Sequence, residues 1–326
     1  MTFGTSPITA AGDSWYNFGI VGKKAIHPSP KTSLLYRATG VNAYEVPAGN
    51  VWKRFFDCTG LYAIGMQNGV LLESAMGYSS TAGPVGGVYT HTITAPTDGT
   101  GNPSFTIQHE KTGTATAWST QFTGCKVSDL TLTCGFEQKY LIARLGIMAK
   151  KATKVAFQMT NDPALPATAT TSCYTFGNLT RTWDYGGTPI ALNGLIEMEL
   201  QIVPDLTAIR AHTWDTGVYT GHWLYQMIEG ARKKYSVTME LTPEMDDIWD
   251  ELASTAANTK EVLFKWTKSA SDYIQVTCTD CTVIEHELIT PETGDEDRSH
   301  VVFEPRSLSF EVKDTIAGNA GGAYGE

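Results

Sequence analysis

Phe122-Thr-Gly-Cys-Lys-Val-Ser-Asp-Leu-Thr-Leu132 decides the fold, because Cys278-Thr-Asp-Cys-Thr-Val-Ile-Glu-His-Glu-Leu288 answers it later in the chain. Cys125 and Cys281 take equivalent places, 156 residues apart (281 − 125). Working outward, Leu145-Gly-Ile-Met-Ala-Lys150 is matched with Leu308-Ser-Phe-Glu-Val-Lys313, 163 residues apart (308 − 145). The difference is assigned to an acidic, breaker-rich insert around Pro291-Glu-Thr-Gly-Asp-Glu-Asp-Arg298. Upstream, Ser104-Phe-Thr-Ile-Gln108 and Glu261-Val-Leu-Phe-Lys265 each read as a strand closed by a polar turn. A repeat this long exceeds the periods of roughly 20–50 residues that mark solenoids. It reads as one β-rich unit present twice.

Within the first unit, Leu130, Leu132 and Cys134 alternate with Asp129, Thr131 and Thr133, the period of a half-buried strand. Leu141, Ala143, Leu145, Ile147 and Ala149 form one face of a second strand. Later strands are expected at Leu195–Ile202 and Lys234–Leu241, the former with Glu197, Glu199 and Gln201 on its polar face. One helix is expected per unit. Leu71, Leu72, Ala75 and Met76 give the first, ending at Gly77. Met245, Ile248, Trp249 and Leu252 give the second, with Thr242 as N-cap and Pro243 in the first turn. The expected organisation is an N-terminal arm and first strands over 1–50, units over 51–160 and 191–314, a linker or excursion over 161–190, and a flexible tail over 315–326.

Composition narrows the function. Hydrophobic residues make up 42% and charged residues 18%, which fits a globular chain rather than a disordered one. A net charge of −10 disfavours capture of nucleic acid, which needs a basic stripe. No stretch approaches the roughly 20 apolar residues of a membrane helix, and Met1-Thr-Phe-Gly-Thr-Ser-Pro-Ile has no signal-peptide pattern. The chain is therefore expected in the cytoplasm, or in an assembly built there, with no membrane partner.

Chemistry is hard to find. Cys278-Thr-Asp-Cys281 is a lone CxxC, whereas zinc needs a second pair or histidines at ligand spacing. GxSxG, Walker and HExxH patterns are absent. On a strand, Glu285 and Glu287 share a face and His286 turns away, so the three do not form an acid/base site. Trp183, Trp214 and Trp223 lie in stretches that read as loops, where they could make a sugar platform. No catalytic, cofactor or metal residue is assigned, and the chain is not expected to be an enzyme. A β-sandwich carbohydrate-binding module and an acidic glycosidase are the alternative readings.

The run Tyr89-Thr-His-Thr-Ile93, Pro103-Ser-Phe-Thr-Ile-Gln-His-Glu110 and Phe122–Leu132 resembles the tail tube (major tail) proteins of long-tailed phages. The resemblance continues through Asn193-Gly194, Tyr235-Ser-Val-Thr-Met-Glu-Leu241 and the closing strand to Lys313, about residues 85–315. It implies a mainly β chain with two tandem tail-tube-type β-sandwich domains, each flanked by one helix and contributing strands to a ring-closed β-barrel. It further implies a structural virion protein that stacks as rings into a hollow tube for genome passage. Homotrimeric, pseudo-hexameric rings are expected from two units per chain. The expected partners are other copies, the tape-measure protein, and tail terminator and tip proteins, with double-stranded DNA in passage but not specifically bound.

Two residue sets follow. Alignment at Cys125 and Cys281 puts Asp129 with Glu285 and Thr131 with Glu287, the candidate lumen-facing side chains. Ring-to-ring contacts are expected from the N-terminal arm through Trp15, Tyr16 and Phe18, from the loop Tyr78–Gly87, and from the Gly-rich C-terminus.

Overall fold

The computed structural model describes residues 25–28, 33–36, 44–47, 56–63, 69–96, 104–111, 118–137, 140–154, 174–185, 189–215, 218–242, 260–289 and 297–315. Their elements in order are β1 (Ala25–Pro28), β2 (Ser33–Tyr36), β3 (Tyr44–Pro47), β4 (Phe56–Ala63), α1 (Gly69–Met76), β5 (Tyr78–Val85) and β6 (Val88–Thr94). Then come β7 (Phe105–Lys111), β8 (Trp118–Gly135), β9 (Ile142–Lys154), β10 (Leu179–Tyr185) and β11 (Pro189–Ala191). The last are β12 (Leu195–Asp215), β13 (Val218–Leu241), β14 (Lys260–Ser269), β15 (Asp272–Ile289) and β16 (Arg298–Asp314). The fold is mainly β. One antiparallel sheet runs β1-β4-β9-β8-β12-β13-β16-β15-β14-β10-β11, with β7 on β8 and the β5–β6 hairpin on β16.

Alternation fixes which face of this sheet is the core. Leu130, Leu132 and Cys134 of β8, Leu145 of β9, Met198 and Leu200 of β12, Val237 and Met239 of β13, and Val301 and Phe303 of β16 are all fully buried. Each large apolar side chain so buried contributes about 1.5–3 kcal/mol. A one-residue slip of register would turn the set outward, so the ladder is strongly specified. At the start of β12 a bulge between Leu195 and Glu197 puts Leu195 into the core, and the expected inward residue Ile196 is only half-buried.

The sheet folds over its own core. Trp183 of β10 meets Phe303 of β16 edge-on, with ring centroids 5.2 Å apart, although β15 and β14 separate their strands. Trp266 Nε1 of β14 donates to Cys134 Sγ of β8 at 3.4 Å. Trp183 is therefore a buried core residue on a strand, and its faces are not open to stack a sugar. The loop reading failed because Thr180-Arg-Thr-Trp-Asp184 gains its order from pairing with β14, not from local periodicity.

Helix α1 forms as its spacing predicts: Leu72, Ala75 and Met76 are fully buried on one side. Gly77, at φ 104°, ends it and donates its N–H to Glu73 O at 2.6 Å. The second expected helix, Met245–Leu252, lies outside the described residues. Tyr78–Val85, read as a loop from its Gly, Ser and Pro content, is strand β5, paired with β6 through the Gly86-Gly87 turn. Edge position explains the tolerance for Pro84, since an edge strand can spare an N–H.

The β8–β9 ladder recurs pair for pair in β15–β16, each residue 156 later: Cys125↔Ala149 becomes Cys281↔Pro305, and Thr131↔Arg144 becomes Glu287↔His300. The bulges recur as well, between Val127 and Asp129 and between Val283 and Glu285. So does the local geometry, with Gly124 at φ 62° and Asp280 at φ 52°. Cys125 Sγ donates to Phe122 O at 3.3 Å, and Cys281 Sγ to Cys278 O at 3.4 Å. One expectation is corrected here. Leu145 corresponds to Val301, not Leu308, and no insert lies between. Pro305 and Leu308, three apart, are both buried, so inward residues resume beyond them on a shifted count. That shift let Leu308 imitate Leu145.

Candidate functional site

The face opposite the core carries the candidate residues. Directly opposed residues in an antiparallel ladder share a face. One row runs Thr133↔Glu199↔Thr238↔Val302↔Glu285 across β8, β12, β13, β16 and β15. A second runs Gly135↔Glu197↔Glu240↔His300↔Glu287. Asp129 and Thr131 belong to the same face of β8. The four residues named from the sequence thus share one continuous surface, although they come from opposite halves of the chain.

They are not equally open. Glu285 and Glu287 are exposed, Asp129 is half-buried, and Thr131 is only 7% exposed, between Arg144 and Gln201. Asp129 lies flat over Gly146: a Cβ built there would come 1.9 Å from Asp129 Oδ2 and 2.8 Å from its Cγ. Ser128 Oγ donates to the same carboxylate at 3.3 Å. Gly146→Ala is expected to cost about 1–2 kcal/mol by forcing Asp129 aside, and clearly less once Asp129 is Ala, when only Ser128 Oγ, 2.8 Å from the same Cβ, has to turn away. Urea unfolding of the four variants reads this coupling; an equal cost in both backgrounds would refute the contact.

Between the two named pairs lie Glu197, Glu199 and Glu240. Glu197 has its pKa raised, first by burial and then by Glu240, Glu199 and Glu137, with Arg298 acting the other way. Arg298 Nη1 bridges Glu240 Oε2 at 3.1 Å, an exposed contact worth about 0–1 kcal/mol. Arg144, Lys234 and Arg298 are interspersed, but carboxylates outnumber cations on the described part of this face. Glu197 and Glu199 were legible as the polar side of a strand. Glu240 was not singled out, although the alternation of β13 contains it.

Other constellations are structural. Burial pushes the Cys281 thiol up to about 12 and Cys278 well above its usual value, so neither offers a thiolate. His286 has its pKa lowered by burial, and its Nε2 meets Ser299 Oγ at 2.7 Å. His91 joins Thr81 Oγ1 through Nδ1 at 2.8 Å and Asp314 Oδ1 through Nε2 at 3.1 Å. This Thr-His-Asp chain has catalytic residue types, but His91 and Asp314 are fully buried, so it ties β5 and β6 to the end of β16. Trp15, Tyr16 and Phe18 lie outside the described residues, as does the C-terminal segment after 315.

Among the described residues nothing in this geometry activates a nucleophile or a water, and what it presents is an extended polar face. The family model described as phage tail tube protein matches residues 55–313, most of the chain. The chain belongs to the phage tail tube protein family. No curated protein matches it. Family membership makes this tail tube protein a structural component of the phage tail that self-assembles into the tube, outside any enzyme class. The match spans β4 to β16, and so contains both copies of the recurring ladder.

Proposed function

We propose that this tail tube protein stacks as rings into the hollow tube that conducts the genome, with two tube units in each chain and three chains in each ring. The observation that carries this reading is the β8–β9 ladder repeated pair for pair in β15–β16 within one family match. Two units per chain would let three chains supply six units. In this reading the face bearing Asp129, Thr131, Glu285 and Glu287 lines the channel. A wall richer in carboxylates than cations repels phosphate, so DNA slides without being held.

The partners in this reading are the tape-measure protein inside the tube and terminator and tip proteins at its ends, on a tail built in the host cytoplasm. Negative-stain images of the purified chain are expected to show tubes or rings, with three chains per ring by mass. A protein that stays monomeric, or rings of six chains, would refute it.

The N-terminal arm is assigned to joining ring to ring through Trp15, Tyr16 and Phe18, apolar anchors in a Gly- and Ser-containing segment. Deleting residues 1–20 is expected to leave a cooperative melt and abolish long tubes. Long tubes from the truncated chain would move this role to the C-terminal segment or the β5–β6 hairpin.

A further inference from the structure

Beyond the sheet, β12 and β13 continue as a pair. Among the described strands, β8 pairs with β12 only over residues 197–202, and β16 with β13 only over residues 237–241. Outward from Leu206↔Glu229 the two strands run on to Asp215↔Val218, and no other described strand pairs with them there. A two-stranded ribbon is marginally stable by itself, because it has neither a third strand nor a packed face of its own. Whatever ties its strands together therefore counts for more here than inside the sheet.

The register of the ribbon places His212 directly opposite His222. Two of the seven histidines of the chain thus share one rung. Opposed residues lie on the same face, with Cβ atoms about 4.5–5.5 Å apart. Imidazoles at that spacing can share one cation, since metal–nitrogen bonds are about 2.0–2.1 Å for zinc. Neutral imidazole suits zinc, nickel and copper better than calcium or magnesium. Just outward of the pair the register shifts, and Thr213 answers both Thr220 and Gly221 before Trp214↔Tyr219 restores the ladder. Bulges of this kind recur beside functional sites.

Alternation along β12 puts His212 in line with Met198, Leu200 and Ile202, the buried row, and not with Glu197, Glu199 and Gln201. The pair therefore stands on the side away from the carboxylate-bearing face. Arg210 stands two places inward on the same side, so the hold on a cation must come from imidazole nitrogen and not from local charge.

We propose that His212 and His222 form a binding site for a divalent cation of the zinc, nickel and copper class, which clips the two strands of the ribbon together. One ligand comes from each strand, so binding the ion and ordering the rung are one event. An ion that binds only the formed rung stabilises it by mass action. Two protein ligands leave the remaining positions to water, which makes the ion exchangeable. Nothing in the proposal depends on how the chains assemble.

The test titrates the full chain with copper(II) at about pH 7.5 and follows tryptophan fluorescence, which bound copper quenches. Saturable quenching is expected, and Trp214→Phe, on the next rung, should shrink its amplitude and leave its midpoint in place. Two ligands on one frame gain from effective concentration, so His212→Asn or His222→Asn should weaken binding by about 100-fold. Thr213→His in the His212→Asn chain, which moves the imidazole to the other face, should not restore it. At about pH 5 the ion should leave, as imidazoles with a free pKa of about 6.5 take up protons. Hydrogen exchange with zinc on the unaltered chain provides a second reading, independent of how the variants fold: amides of residues 210–212 and 222–224 gain protection. Saturable binding that both asparagine variants retain overturns the proposal. So does an unaltered chain that neither saturates below millimolar copper nor gains protection with zinc.

Discussion

Phages whose tail tube protein carries Asp129→Lys, Glu285→Lys and Glu287→Lys are expected to build tails of normal length and to fail at genome ejection. Glu285 and Glu287 are exposed and Asp129 is half-buried, and none faces the core, so folding is changed little. Exposed substitutions such as those at Glu285 and Glu287 shift stability by about 0.5 kcal/mol or less each. The effect on DNA is much larger. In the proposed channel, each replacement turns a repelling carboxylate into a cation that can release counterions from the duplex, and the contacts repeat along every ring. Ejection triggered in vitro and followed by dye binding to released DNA should stall, and raised salt should partly restore it. Normal ejection at low salt would refute the placement of these residues on the channel wall.

Asp314→Ala is expected to destabilise the subunit by about 1–3 kcal/mol, the scale for leaving a buried hydrogen-bonding group without its partner. His91 and Asp314 are fully buried and 3.1 Å apart, so His91 would keep its burial and lose its carboxylate. Asp314→Asn, of the same shape and still able to accept from His91, should lose clearly less. Because Asp314 stands opposite Tyr89, the damage should begin at the β5–β6 hairpin, seen as early amide exchange there. A denaturation midpoint for Asp314→Ala matching the unaltered protein would show that the pair adds nothing.

The parts legible in the sequence were those whose order is local. The alternation of β8 and β9, the helix ending at Gly77, and the equivalence of Cys125 with Cys281 all depend on neighbours within a few residues. What was hidden depends on distant partners. β5 has the composition of a loop and becomes a strand because β6 supplies its hydrogen bonds. β10 lies within the stretch read as linker and is ordered by β14. The supposed match of Leu145 with Leu308 shows a related weakness. Alternating strands resemble one another at many offsets, and only a ladder fixes which resemblance is structural. The candidate wall was half visible: Asp129 and Glu285 follow from aligning the repeat, whereas Glu240 joins them only when β13 is laid between β12 and β16.

The joint between the two units, where β8 pairs with β12, has a kinetic side. Because its two strands belong to one polypeptide, it forms at a rate independent of protein concentration, at the high effective concentration that a covalent connection provides. In the proposed ring of three chains, every second joint is thus complete before any subunits collide. Fewer encounters, each with a preassembled third of a turn of wall, raise the chance that a nucleus closes before it falls apart. The two joints are also free to diverge in strength. The intramolecular one can be permanent while the intermolecular one stays weak enough to correct a misplaced subunit, a division of labour that a single-unit chain, with one joint for both tasks, cannot make.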